Sequence, residues 1–102
     1  MTILIQDIAP HHIGSAFTVH TQNGAMPLKL IEAVERPRRG LPTQFRAPIS
    51  LVFSGTSEWQ LAQDCYCVDH PVLGRVQWML VPIAKHAVPN PDGLPLYEAI
   101  LS

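Results

Sequence analysis

The chain is short of charge, of cysteine and of long apolar runs, and each shortage removes a class of function. Lysine and arginine number 7 against 8 aspartate and glutamate, a net charge of −1 in 102 residues. A nucleic-acid-binding domain carries a basic excess, and none is present. No run approaches the ~18 apolar residues that span a bilayer. The start, Met1-Thr2-Ile3-Leu4-Ile5-Gln6-Asp7, has neither the basic opening nor the apolar stretch of a secretory leader, so the expected compartment is the cytoplasm. The only cysteines are Cys65 and Cys67, too few for a disulfide scaffold. Two apart on one strand, they share a face with Cα atoms about 6.5 Å apart, near the limit for a bridge, and their side chains stand parallel. Two free thiols are expected.

What remains is an ordinary apolar content of 47% with a charged content of 15%. The charged fraction falls below the usual ~25%. That combination argues against disorder and leaves relatively apolar surface to cover, which favours self-association. The length fits one domain over residues 1–102, large enough to bury roughly 65% of its unfolded surface. There is no internal repeat and no low-complexity tract.

Ten prolines and six glycines interrupt every stretch that could make an ordinary helix of ~11 residues. One short helical turn is expected near the N-terminus, capped by Thr2 and running to Ile8 before Pro10. Everything else reads as strand. Phe17 to Thr21 alternates and reaches Asn23-Gly24, a strong hairpin signal because both residue types accept positive φ. The return strand runs from Met26 to Glu35 with Met26, Leu28 and Leu30 on one face. Its phase then slips to Ile31, Ala33 and Val34, which predicts a bulge between Leu30 and Glu32. Arg36 to Gln44 is a loop by composition. Ile49 to Phe53 forms a third strand closed by Ser54-Gly55-Thr56. Trp59 and Leu61 follow in a connecting segment, expected to fold down over the edge of the core. A fourth strand, Tyr66 to His70, points Tyr66, Val68 and His70 one way and turns through Pro71 to Gly74. The fifth, Val76 to Ile83, aligns Val76, Trp78 and Leu80. Met79 and Val81 make its second half apolar on both faces, so that half is expected to be buried on both sides. Pro82 cannot donate to a ladder and marks a strand end or an edge. Leu96 to Leu101 is the last strand, with Tyr97, Ala99 and Leu101 aligned. The expected fold is all-β and mainly antiparallel, about six strands as a small barrel or sandwich, with one short N-terminal helix.

Candidate chemistry is sparse. Cys65, Cys67 and His70 carry zinc-ligand atoms, but a closed site needs four ligands, no second cysteine pair exists, and strand parity points the thiols away from His70. His11, His12, His20 or His86 would have to complete the set from elsewhere in the fold. No metal or other cofactor is therefore expected. The spacing is also not the Cys-x-x-Cys of redox sites. His11-His12 reads as a solvated pair and His20 as a surface residue opposite Phe17 and Val19. Ser54-Gly55-Thr56-Ser57 lacks the Gly-x-Ser-x-Gly elbow of a nucleophile and reads as a turn. The carboxylates show no paired spacing, and no enzyme is expected. The arginines Arg36, Arg38, Arg39 and Arg46 supply four of the chain's seven positive charges. As a solvated loop they keep the domain soluble; as a site they would dock an acidic partner face. Phe45 is the one aromatic among them, too few to interleave the charges with stacking rings, so nucleic acid is not the expected partner. Trp78 reads as core, and Trp59 as a candidate surface contact.

The chain resembles a family of small bacterial proteins of unknown function. The resemblance rests on Gln6-Asp7-Ile8-Ala9-Pro10, Phe17, Leu28, Leu30, the Leu51-Val52-Phe53-Ser54-Gly55 turn, Tyr66 with His70-Pro71-x-x-Gly74, Leu80-Val81-Pro82 and Tyr97-Glu98-Ala99. It runs nearly end to end and concerns architecture. Members look to be encoded beside phage-tail-collar proteins of the microcystin-dependent type, which implies an accessory role in assembling a tail-fibre-like structure and supplies no catalytic residue. The expected function is a non-enzymatic interaction or assembly module with a protein partner or a second copy. The alternative is a small-ligand or carbohydrate binder using Trp59 and Tyr66 as stacking platforms.

Overall fold

Alternation along each strand determines what lies inside. The computed structural model describes residues 13–35, 49–58 and 60–101. Six strands follow in chain order: β1 (Ala16–Thr21), β2 (Gly24–Glu35), β3 (Ile49–Ser54), β4 (Asp64–His70), β5 (Gly74–Ile83) and β6 (Leu96–Leu101). All neighbours are antiparallel, and the order β1-β2-β3-β6-β5-β4 closes on itself as a barrel rather than a sandwich. No helix occurs among the described residues, and the expected turn from Thr2 to Ile8 lies outside them.

The barrel is two three-stranded meanders, and the middle strand of each is shared unevenly between its neighbours. In β2 the first half pairs with β1 as far as Lys29, and the second half pairs with β3 from Lys29 to Glu35. In β5, Gly74 to Leu80 pairs with β4, and only Val81 to Ile83 pairs with β6. The register of β2 against β3 shifts between Leu30 and Glu32, where the apolar phase of the sequence slips. The extra residue bends β2 from one partner to the next. Leu30 is bonded on both backbone groups there, accepting from Gly14 N at 2.7 Å and donating to Ser15 O at 3.2 Å.

The two prolines inside strands obey the same logic. Pro27 pairs with Thr18 before the β3 ladder has begun, and Pro82 pairs with Tyr97 after the β4 ladder has ended at Leu80. Each missing N–H falls where a strand has a neighbour on one side only. At the first hairpin the positive φ belongs to Gly24 alone, at 115°; Asn23 does not share it. Thr21 Oγ1 accepts from Asn23 N and donates to Gly24 O, so the threonine hydroxyl holds the turn that asparagine was expected to make.

The interior is filled by Phe17, Val19, Met26, Leu28, Leu30, Ile49, Leu51, Phe53, Val68, Trp78, Leu80, Tyr97 and Ala99, with Leu61 folded in from the connection after β3. Phe17 and Phe53 meet edge to face at 5.2 Å, and Trp78 lies 6.1 Å from each. Tyr97 accepts a hydrogen bond at 2.8 Å from Leu61 N, which anchors that connection over the barrel end.

One expectation is corrected. The second half of β5 is not buried on both faces, because Met79 is 49% exposed and Val81 half-buried. A closed barrel has a single interior, and Met79 stands on its outside opposite Cys65. Burial on both faces is found instead in β3, where the outward Ser50, Val52 and Ser54 are buried along with the inward Ile49, Leu51 and Phe53.

Candidate functional site

Strand parity separates the sequence's most tempting cluster. Val68 and His70 are buried within the barrel with Tyr66 packed against its core, whereas Cys65 is exposed and Cys67 half-buried on the other face. Both thiols are free. No group of three or more metal-ligating side chains occurs among the described residues. His70 is instead structural. Its Nδ1 accepts from Val72 N at 3.1 Å and Leu73 N at 3.2 Å, so the proton belongs on Nε2, which lies 3.2 Å from Ser15 Oγ. The ring packs on Phe17 with centroids 4.4 Å apart.

The Ser54-Gly55-Thr56-Ser57 stretch has no histidine partner among the described residues. Gly55 is required by close packing: a Cβ there would come 2.8 Å from Tyr97 Cε2. Arg36, Arg38, Arg39, Arg46 and Trp59 lie outside the described residues. The connection that carries the arginines joins the paired ends of β2 and β3, Glu35 and Ile49.

On the outside of the barrel, β1, β4 and β5 bring together charges that the sequence scatters over more than fifty residues. Asp69 bonds to His20 Nε2 through Oδ2 at 2.5 Å and to Arg75 Nε through Oδ1 at 2.8 Å, with Arg75 Nη2 also 3.1 Å from Oδ2. Donation from Arg75, then from His20, lowers the Asp69 carboxyl from 3.8 to about 2. The folded value lies below the ordinary one, so the pairing stabilises the fold above about pH 4 and is lost as the pH falls towards 2. A carbon-detected NMR titration is expected to give Asp69 a midpoint near 2, and Arg75→Gln to raise it more than His20→Ala does. Equal displacement by both variants would contradict the assigned order. The arrangement is a surface ion-pair network, with no nucleophile bonded to it among the described residues.

A concave feature lies where the seam between β1 and β4 opens. These strands pair only from Thr18–Asp69 to His20–Cys67. Continuing that register would set Thr21 against Tyr66 and Asn23 against Asp64, and no such pairs form. Thr21, Gln22, Asn23, Asp64 and Tyr66, with Gln60, Leu61 and Ala62 as a third wall, enclose instead a cleft of about 270 Å³. Tyr66 donates its hydroxyl to Ala62 O at 2.7 Å. Burial, then the nearby Asp64 charge, pushes its phenol above the ordinary value. Asp64 Oδ1 accepts from Cys65 N at 2.7 Å. Tyr66 is the one residue of this cleft that the sequence offers as a binding residue; Leu61 is read there as a lid and Asn23 as a turn residue. Gln22 and Gln60 give no signal, because in sequence they are ordinary turn and linker residues.

No curated protein and no solved structure matches the chain. A family model described as a domain of unknown function, DUF6916, matches residues 5–101, and the chain belongs to that family.

Proposed function

We propose that the domain is a non-enzymatic interaction or assembly module that engages a protein partner at the end of the barrel where β2 leads into β3. The observation that carries this reading is a pair of exposed apolar side chains on the outer surface. Val34 and Ile100 flank the buried Ser50 across β2, β3 and β6, and they are 44% and 52% exposed. The segment bearing Arg36, Arg38, Arg39 and Arg46 leaves from the same end. Exposed apolar side chains on strands joined by a segment that carries four arginines in its sequence suit a protein surface that presents an apolar spot among acidic groups. The family resemblance supplies the kind of partner, a tail-fibre-like collar protein that the domain helps to assemble, in the cytoplasm of a bacterium. Among the described residues no helix is long and apolar enough to cross a membrane.

The test starts from the neighbouring reading frames. Co-expression with an adjacent collar protein is expected to yield a complex of fixed stoichiometry by size-exclusion chromatography with light scattering. Val34→Asp combined with Ile100→Asp is expected to abolish it while costing about 1 kcal/mol or less per site in stability. A metabolic operon, together with a strictly monomeric chain that binds no neighbour's product, overturns the reading.

A further inference from the structure

We infer that the open β1–β4 seam is a binding site for a neutral sugar unit, independent of the protein-docking surface proposed above. The cleft is a consequence of the fold, since two strands that pair at Thr18 to His20 diverge at Thr21 and Tyr66. Its walls are held in place from within. Tyr66 is tied to Ala62, Thr21 to the hairpin backbone, and Leu61 to buried Tyr97. A pocket whose walls are already bonded loses little conformational freedom when a ligand arrives.

The lining selects the ligand's chemistry. Gln22, Asn23 and Gln60 each offer a carboxamide, with donors and an acceptor side by side, the arrangement that meets adjacent hydroxyl groups in pairs. Asp64 adds a carboxylate acceptor whose Oδ1 is already held by Cys65 N. Among the described residues no lysine or arginine lines the cleft and Asp64 does, a balance that disfavours phosphate and carboxylate ligands. Tyr66 and Leu61 supply apolar surface for the C–H face of a sugar ring. The volume of about 270 Å³ lies just under the ~300 Å³ at which drug-sized sites begin, which suits one ring at the end of a glycan rather than an extended chain.

The experiment is an amide-detected NMR titration of the full ¹⁵N-labelled chain. The neutral probes are glucose, galactose, mannose and N-acetylglucosamine; glucuronate and inorganic phosphate are the anionic ones. At least one neutral sugar is expected to move the amides of Thr21 to Gly24 and Asp64 to Tyr66 in a saturable way. Asn23→Ala combined with Gln60→Ala is expected to weaken that binding tenfold or more with an unchanged thermal midpoint, since both residues sit on the surface. Anionic probes are expected to leave these amides still, and larger shifts with phosphate than with every neutral sugar overturn the ligand class. No saturable change at the cleft with any of the four sugars overturns the site, and so do shifts that survive the double substitution. Neither result bears on Val34 and Ile100, so failure here and failure of the assembly reading are told apart.

Discussion

Phe17→Ala is expected to lower the free energy of unfolding by about 3–5 kcal/mol, the range for deleting a fully buried aromatic side chain. The ring is 1% exposed and stands at the centre of the barrel's aromatic group. It meets Phe53 edge to face, lies 6.1 Å from Trp78 and packs on the His70 ring at 4.4 Å. Removing it leaves a void bounded by strands bonded on both sides, which cannot collapse inward without breaking ladders. A domain of this length has about 5–15 kcal/mol in total, so the variant loses a large share of it. Denaturant titration is the measurement, with the midpoint falling and the slope unchanged. Phe17→Leu is expected to cost less than half as much, and Met79→Ala, on the outer surface, about 0.5 kcal/mol or less. A Phe17→Ala loss below about 1.5 kcal/mol would mean that the interior repacks and that Phe17 is not the packing centre of the barrel.

How much of this was legible in the chain depends on whether a feature is local. The bulge could be read because Leu30, Ile31 and Ala33 break the alternation within a few residues. The separation of Cys65 and Cys67 from His70 could be read because parity along one strand is fixed by the pleat. Burial on two faces could not be read. Met79 and Val81 look like a strand enclosed on both sides, but nothing in the sequence says that Met79 faces outward from a closed wall. Conversely, the outward Ser50 and Ser54 give β3 a half-exposed appearance although both are buried. The pairings of β3 with β6 and β1 with β4 join segments tens of residues apart, and with them the strand order stays hidden. The cleft is harder still, because it is made by pairs that do not form between Thr21–Asn23 and Asp64–Tyr66. The Asp69 network is visible only once β1, β4 and β5 are side by side.

His70→Ala is the second large effect, expected at about 2–4 kcal/mol, and it tests whether this histidine belongs to the turn. The ring contributes packing against Phe17, worth roughly 0.5–1.5 kcal/mol beyond its buried area. Its Nδ1 also accepts from two successive turn amides, Val72 and Leu73. Each such bond contributes about 0.5–1.5 kcal/mol, less where water can replace it, as it can beside exposed Val72. The hairpin closes at His70–Gly74, and Gly74 takes a φ of +82° that a side chain would strain. The three-residue connection therefore relies on His70 for bonds that the ladder does not supply. His70→Phe separates the two contributions: it keeps an aromatic ring against Phe17 and removes the acceptor. It is expected to recover part of the alanine loss in overall stability, while Val72 and Leu73 amides exchange with solvent faster than in the native chain. Unchanged exchange at those two amides in His70→Phe would show that the turn holds itself. The histidine would then act through its ring packing on Phe17 and its contact with Ser15 Oγ rather than through the turn amides.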